Sequence, residues 1–284
     1  MSDNYSHLKR NSKGERPTLK PFAVINYILV DKSASMVTFN NNHVLMNYKL
    51  LKEIQDNAIS QNVPTYVSFI SFDHSVEKLI VNQDIRNIKL PTEDQLLKFL
   101  KPHGTTRFID TVIEAIDDID TKKKEIMSSL SKEVRNLNPK IVTILNCTTD
   151  GADNSSVNFT ESDLKEKMLA YRKKNGECLL LTANLDAISL GGKYGFNEGT
   201  SLTMDNSNPS AIQYAFDCVQ QTSRTISDGQ NTPSYTPLQR NHSISNNNDD
   251  DDEEDDSEAV LDFHNNKIPF QPTCPPPIHK LRRT

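Results

Sequence analysis

The stretch VINYILVDKSASM, residues 24–36, carries the main sequence evidence for both the fold and the candidate site of this chain. It opens with an apolar run, as expected of a strand that is buried on both faces of a parallel sheet. Asp31, Ser33 and Ser35 follow this run at alternate positions. Open α/β sheets place their ligand crevice at the carboxyl ends of central strands, and carboxylate and hydroxyl oxygens suit a hard cation such as Mg²⁺. The stretch therefore predicts a central strand that ends in a candidate metal-binding loop.

The same loop also suits the N-cap of a helix. Asp and Ser are favoured at that position. Apolar residues at helical spacing over residues 43–61 predict a helix shortly afterwards. For this motif alone the two interpretations remain open.

The composition predicts a folded domain with additional polar segments. Of the 284 residues, 35% are hydrophobic, and the mean hydropathy of -0.60 is low for a chain that is globular throughout. No apolar run reaches the roughly 18 residues of a membrane span, and the N-terminus lacks the apolar core of a signal peptide. The four cysteines, Cys147, Cys178, Cys218 and Cys274, show no CxxC spacing. We therefore expect free thiols in a reducing compartment, the cytoplasm or the nucleus, and no membrane partner.

The negative charge is concentrated towards the C-terminal end. The formal net charge is -6 at pH 7. Residues 226–284 contain eleven acids and five bases, which leaves 27 of each for residues 1–225. A folded part with balanced charges predicts no surface for nucleic acid.

Strand and helix patterns alternate along the chain. The predicted strands after the first are residues 65–73, 76–81, 141–147, 177–183 and 201–204. The predicted helices are residues 43–61 and 92–101, a long or broken helical region that opens after Gly104 and continues to about residue 136, and residues 160–174, 187–194 and 209–225. This alternation predicts an α/β fold, a Rossmann-like three-layer sandwich with a mostly parallel central sheet, one antiparallel edge strand and helices on both faces.

Two later loops place oxygen-bearing side chains beside the ends of predicted elements. The turn GTT, residues 104–106, opens a helix, and TDG, residues 149–151, follows an apolar strand. A threonine at a junction between loop and helix is either a cap or a metal ligand. His74 is a lone histidine in a turn between two predicted strands, and we interpret it as an ordinary surface residue.

Taken together, the loops DKSAS at 31–35, GTT at 104–106 and TDG at 149–151 resemble the signature of the von Willebrand factor A-like family. That family carries D-x-S-x-S, a distal Thr and a T-D-G-type Asp, which form its metal-ion-dependent adhesion site. The resemblance covers about residues 22–225. The later stretch LLLTANLDAISLGGKYGF looks like the equivalent stretch of the intracellular, phage- and virus-type branch of the family.

The resemblance implies a set of five metal ligands. Ser33 and Ser35 match the direct hydroxyl ligands of the family, and Thr106 matches its second-loop ligand. Asp31 and Asp150 match the carboxylates that hold the ion directly or through water. The ion implied is Mg²⁺, with Mn²⁺ as an alternative.

Two positions bear on how closely these loops match the family pattern. Thr106 is carried over in preference to Thr105, because the family places its Thr two residues after the turn glycine. Ala34 stands where many members have glycine. That change has little cost as long as φ is negative at this position.

The resemblance implies a metal-dependent protein–protein interaction module, an adaptor or assembly factor. Asp31 and Asp150 supply at most two negative charges, and Mg²⁺ takes six oxygens, so positions remain for water or for a Glu or Asp carboxylate of a protein partner. The three loops offer no His or Lys placed as a general base, so we expect no enzyme. Two alternatives stay open: a metal-dependent phosphohydrolase that uses Asp31 as nucleophile, and a scaffold with a silent metal site.

The predicted domain organisation has three parts. Residues 1–21 are a flexible leader, residues 22–225 are the von Willebrand factor A-like domain, and residues 226–284 are a disordered, acidic and proline-rich tail. The tail contains an unbroken acidic run from Asp249 to Asp256. Tethered carboxylates have a high effective concentration, so this run is a candidate for occupying the open metal position itself.

Overall fold

The computed structural model describes residues 20–183 and 185–244, and these fall within one compact unit. Most of the predicted leader, residues 1–19, lies outside the described residues. The acidic run from Asp249 to Asp256 lies outside them as well.

A single sheet of six strands forms the centre of the domain. The strands are β1 (Ala23–Asp31), β2 (Thr65–Phe72), β3 (Val76–Asp84), β4 (Ile141–Thr149), β5 (Gly176–Ala183) and β6 (Ser201–Met204). They lie in the order β3-β2-β1-β4-β5-β6, and all neighbours are parallel except the antiparallel pair β2 and β3. The mostly parallel sheet with one antiparallel edge strand is therefore confirmed, with β3 continuing beyond its predicted end at residue 81.

Helices connect the strands. They are α1 (Asn42–Gln61), α2 (Glu93–Phe99), α3 (Phe108–Ser129), α4 (Lys132–Asn136), α5 (Glu161–Lys173), α6 (Ala187–Tyr194), α7 (Pro209–Ser227) and α8 (Pro237–His242). The long helical region that the sequence predicts after Gly104 is broken at Leu130, and Ser131 caps the short helix that follows. Among the described helices, none combines the length and the apolar character that crossing a membrane requires.

Alternate residues of β1 pack against helices on opposite faces of the sheet, because successive strand side chains point in opposite directions. Ile25, Tyr27 and Leu29 belong to a buried cluster with α3 and α5. Ile28 and Val30 belong to a cluster with α1 and α2, and α7 packs beside α1. The predicted three-layer sandwich with helices on both faces is confirmed.

The folded part continues past the boundary that the sequence suggested at residue 225. α7 ends at Ser227, and the chain then returns to the domain and forms α8. Ile226 and Tyr235 are buried, with 2% and 6% of their surface exposed. Residues 226–244, which the sequence assigned to the tail, therefore pack against the domain. Because the segment is polar overall, its sequence pattern did not indicate the capping box at Thr236. It also did not indicate that Ile226 and Tyr235 would be buried.

Three of the four cysteines are buried free thiols, as the sequence suggested for Cys147 and Cys178. Burial raises the pKa of the Cys178 thiol to about 11 and raises the pKa of the Cys147 thiol well above its usual value. Buried thiols of this kind are unreactive packing residues. Cys274 lies outside the described residues.

Candidate metal centre

The central strands β1 and β4 lie side by side, and the strand order reverses between them. β2 and β3 continue the sheet from β1 in one direction, while β5 and β6 continue it from β4 in the other. Such a reversal opens a crevice at the carboxyl ends of the two strands. Asp31 is the last residue of β1, and Thr149 is the last residue of β4. The sheet therefore brings the DKSAS and TDG loops to one edge, as the sequence pattern predicts.

Asp31 is held rigidly at this edge. It is fully buried. Its Oδ1 accepts the backbone N–H of Ser33 at 2.7 Å, and its Oδ2 accepts the hydroxyl of Thr149 at 2.6 Å. Burial raises the pKa of Asp31 to about 6, although these hydrogen bonds act in the opposite direction. Both carboxylate oxygens thus have defined positions in the crevice.

Three oxygens from the two loops lie close together at this edge of the sheet. The Oγ atoms of Ser33 and Ser35 lie 3.1 Å apart, and Ser35 Oγ donates to Asp150 Oδ1 at 2.7 Å, across 115 residues of chain. Burial raises the pKa of Asp150. Neighbouring ligand oxygens of an octahedral Mg²⁺ ion, with bonds of about 2.1 Å, lie roughly 3 Å apart. The spacing of these oxygens therefore fits the donor set of such an ion.

The hydroxyl of Ser33 is not used as a helix cap. Ser33 occupies the N-cap position of the 3₁₀ turn Ala34–Phe39, but its side chain makes no capping hydrogen bond within the described structure. Its hydroxyl faces Ser35 instead. Ala34 is not among the described residues with positive φ, so its methyl group is tolerated in place of glycine. The local geometry therefore favours the ligand interpretation of this loop over the capping interpretation.

Thr106 belongs to the same edge. It is buried, whereas Thr105 is exposed. Its N–H donates to Asn154 Oδ1 at 2.8 Å, and its carbonyl oxygen accepts the N–H groups of Asn154 and Ser155. A Cβ placed on Gly151 would lie 3.4 Å from Thr106 Oγ1. The hydroxyl of Thr106, and not that of Thr105, thus lies beside the TDG turn.

Gly104 connects the threonine loop to the serine loop. Its φ of 70° is in the left-handed region that glycine adopts without strain. Its carbonyl oxygen accepts the N–H of Ala34 at 3.1 Å, and the neighbouring His103 donates its N–H to the carbonyl of Lys32 at 2.7 Å. These two hydrogen bonds join the two ligand-bearing loops directly.

Asp110 is a buried charge that the sequence analysis did not identify. It lies in the first turn of α3 and is fully buried. Its carboxylate accepts the backbone N–H groups of Val157, Asn158 and Phe159 and the Nε–H of Arg107. It thereby attaches the loop that follows Asp150 to α3. An acid inside the apolar stretch FIDTVIEAI is the sequence signal that could have marked it.

No protein-family model matches this chain, and no curated protein matches it. Solved structures do match. The chain is similar to a von Willebrand factor type A protein from Catenulispora acidiphila, with 12% identity and a TM-score of 0.47 over 71% of this chain and 43% of that one. It is also similar to the vWF domain of the type V pili tip protein Mfa5 from Porphyromonas gingivalis, with 11% identity and a TM-score of 0.49 over 76% and 99% of the two chains.

A third match is proximal thread matrix protein 1 from the mussel byssus, in a structure with a zinc-occupied MIDAS motif. The identity is 13% and the TM-score 0.44, over 72% of this chain and 46% of that one. The chain thus spans less than half the length of this protein and of the Catenulispora protein. The structure resembles von Willebrand factor A domains, as the loop motifs predict.

Proposed function

We propose that this domain is a metal-dependent protein–protein interaction module that binds an acidic group of a partner through a Mg²⁺ ion, with Mn²⁺ able to replace it. Asp31, Ser33, Ser35, Thr106 and Asp150 hold the ion. The convergence of Ser33, Ser35 and Asp150 oxygens at distances of 2.7 and 3.1 Å carries the proposal. With these five ligands, at least one of the six positions around Mg²⁺ stays open for a Glu or Asp carboxylate of the partner.

Exposed apolar side chains on the ligand-bearing loops support a macromolecular partner. Val37 follows the serine loop and has 64% of its surface exposed, and Val157 follows the TDG turn with 82% exposed. Protein interfaces typically combine buried apolar contacts with polar contacts that fix the orientation of the partner. The partner would therefore contact both the ion and these side chains.

The phosphohydrolase alternative is disfavoured by the position of Asp31. A nucleophilic carboxylate must reach the substrate phosphorus, and a general base must lie near the attacking group. Asp31 is fully buried, and both of its oxygens accept hydrogen bonds from Ser33 and Thr149. Asp31 is therefore better placed to orient the metal site than to attack a phosphorus atom.

Thermal unfolding of the metal-free protein, with and without added Mg²⁺ or Mn²⁺, tests the metal site. A ligand that binds only the folded state stabilises it by about 2.7 kcal/mol at 100 times its Kd. For a domain of this size, we expect the unfolding midpoint to rise by about 5–10 °C. The rise should vanish in the double variant Asp31→Asn with Ser33→Ala.

The matched control is Asp56→Asn with Ser60→Ala, on the exposed surface of α1. It should keep the full metal response.

A labelled peptide with a single glutamate, compared with its glutamine counterpart, then tests carboxylate binding in Mg²⁺ and in EDTA. No midpoint shift at millimolar metal would leave the silent scaffold as the better description, and turnover of a phosphoester that Asp31→Asn abolishes would favour the enzyme.

We also infer that the acidic run from Asp249 to Asp256 competes with partners for the metal position. Support comes from its composition and from its place on the same chain, shortly after the described residues end. Deleting residues 247–284 should therefore raise the affinity for the glutamate peptide in Mg²⁺ several-fold, because an intramolecular competitor is removed. Unchanged affinity would contradict this inference.

The buried free thiols of Cys147, Cys178 and Cys218 support a reducing compartment such as the cytoplasm, with the nucleus as an alternative. Fractionation of cells that express the full chain tests this assignment. Recovery from an oxidising compartment would contradict it.

A further inference from the structure

A second group of metal-ligating side chains lies outside the centre described above. Asp73 follows β2, His74 occupies the turn before β3, and His103 precedes the threonine loop. The Nδ1 atoms of His74 and His103 lie 3.2 and 3.6 Å from the carboxylate oxygens of Asp73. One ligand atom from each of the three residues lies within 4.8 Å of the others. His74 is at the surface, as its sequence position suggested, but it is not alone there.

The chemistry of this cluster differs from that of the first site. Imidazole nitrogens suit Zn²⁺ and similar transition metals, whereas Mg²⁺ prefers oxygen ligands throughout. Two histidines and one carboxylate supply three of the four ligands of tetrahedral Zn²⁺. The side chains of His74 and His103 are 53% and 73% exposed, so the fourth position faces solvent.

Asp73 is fixed for this role by its surroundings. It is buried, and its Oδ1 accepts both the N–H and the hydroxyl of Ser75, at 2.7 and 2.8 Å. Its Oδ2 faces His103. Burial by itself would raise the pKa of Asp73, but the Ser75 hydrogen bonds and the positive charge of Lys32 hold it below its usual value. Hydrogen bonds that orient a ligating carboxylate are typical of the surroundings of protein metal sites.

The charges around the cluster are compatible with a cation. Lys32 is the nearest positive side chain, with its Nζ 3.9 Å from Asp73 Oδ2. The same Nζ lies 2.5 Å from Glu77 Oε1, so that Glu77 balances the charge of Lys32. With neutral imidazoles, these groups carry one net negative charge. Gly104 also makes room for the His74 ring, since a Cβ at residue 104 would lie 2.4 Å from its Nδ1.

We propose that Asp73, His74 and His103 form a second metal site, selective for Zn²⁺ and related transition-metal ions over Mg²⁺. The site adjoins the first one, because the His103 N–H donates to the carbonyl of Lys32 within the serine loop. A metal ion here fastens the turn before β3 to the loop that carries Thr106. The proposal does not rest on the function proposed for the first site.

Calorimetric titration of the untagged, metal-free full chain with Zn²⁺ tests the second site. The decisive variant is His74→Ala with His103→Ala, whose side chains are exposed enough to leave the fold intact, as circular dichroism would verify. His242→Ala, on α8, is the matched control. Asp31→Asn with Ser33→Ala shows whether Zn²⁺ enters the first site instead. Visible absorption of bound Co²⁺ reports tetrahedral coordination independently.

The proposal predicts saturable Zn²⁺ binding that weakens at least about 100-fold in the His74, His103 variant and persists in His242→Ala. It also predicts that one equivalent of Zn²⁺ still binds to the Asp31, Ser33 variant, even if that variant no longer responds to Mg²⁺. The proposal is overturned if Zn²⁺ does not bind saturably up to about 1 mM, or if its binding is insensitive to the loss of both histidines. Loss of all Zn²⁺ binding in the Asp31, Ser33 variant would also overturn it.

Discussion

Replacing Asp110 by asparagine is expected to lower the free energy of unfolding by about 3–5 kcal/mol, the usual cost of breaking a buried charged pair. The two side chains have nearly the same shape, so no cavity is created. The loss arises from the hydrogen bonds of the carboxylate and from its ion pair with Arg107. Urea denaturation at neutral pH measures it.

The geometry around Asp110 explains the size of the expected loss. Its Oδ1 accepts the N–H groups of Asn158 and Phe159, and its Oδ2 accepts those of Val157 and Arg107. An asparagine presents one oxygen and one NH₂ group. Whichever way the amide is turned, the NH₂ group faces donors, and buried N–H groups are left without an acceptor.

The pH dependence provides a second measure of the same interaction. Burial by itself would raise the pKa of Asp110, but the backbone N–H groups and Arg107 lower it below its usual value. Such an acid stabilises the fold above its unfolded pKa of about 3.9, and this contribution is lost as the pH falls through the folded pKa. The difference between the wild type and Asp110→Asn should therefore be largest near pH 7 and shrink below about pH 4.

Asp118→Asn is the matched control for Asp110→Asn. Asp118 lies on the same helix, but its side chain is 39% exposed, and it pairs with Lys78 at the surface. An exposed ion pair of this kind contributes little to stability, so we expect the free energy of unfolding to change by no more than about 0.5 kcal/mol. Similar losses in the two variants would show that the buried carboxylate has no special role.

Ending the chain at residue 225, the boundary that the sequence suggested, is expected to cost about 3–6 kcal/mol of stability and to promote self-association. The removed segment buries Ile226 and Tyr235. Burial of a large apolar side chain contributes about 1.5–3 kcal/mol, and a net hydrogen bond about 1 kcal/mol.

Self-association is expected because α8 covers the free edge of the sheet. Arg240 donates to the carbonyl of Ser201 at 2.6 Å, and the hydroxyl of Ser243 donates to the carbonyl of Thr203 at 2.6 Å. Both carbonyls belong to β6, the last strand at that side. An exposed edge strand presents such groups to other chains and is a site of aggregation.

A chain that ends at residue 246 is the control for this truncation, because it keeps every described residue. It should match the full chain in urea denaturation and in light scattering, while the chain that ends at 225 should unfold earlier and form larger species. The point variant Arg240→Ala with Ser243→Ala should reproduce part of the loss. If both truncated chains behave like the full chain, the segment that contains α8 does not contribute to the fold.

Local sequence patterns were sufficient to predict the layers of the fold and the loops of the proposed first site. The apolar run of β1 and the alternation of strands and helices were sufficient for the parallel sheet, because hydrophobic periodicity is a local property of the chain. The position of Asp31, Ser33 and Ser35 after a buried strand indicated the crevice, and the GTT and TDG loops were needed to prefer a metal site there over a helix cap. One antiparallel edge strand was also predictable, from the short turn before β3.

Other features depended on contacts between residues far apart in the chain. The 2.7 Å contact between Ser35 and Asp150, the burial of Asp110 under the loop after β4, and the meeting of His74 with His103 all require the packed sheet. The segment that contains α8 was missed for the same reason. Its composition is as polar as that of a tail, and only the contacts of Arg240 and Ser243 with β6 show that it belongs to the domain. Sequence periodicity indicates which face of a helix or strand is buried. Which polar groups come together in the buried region depends on how the helices and strands pack against one another.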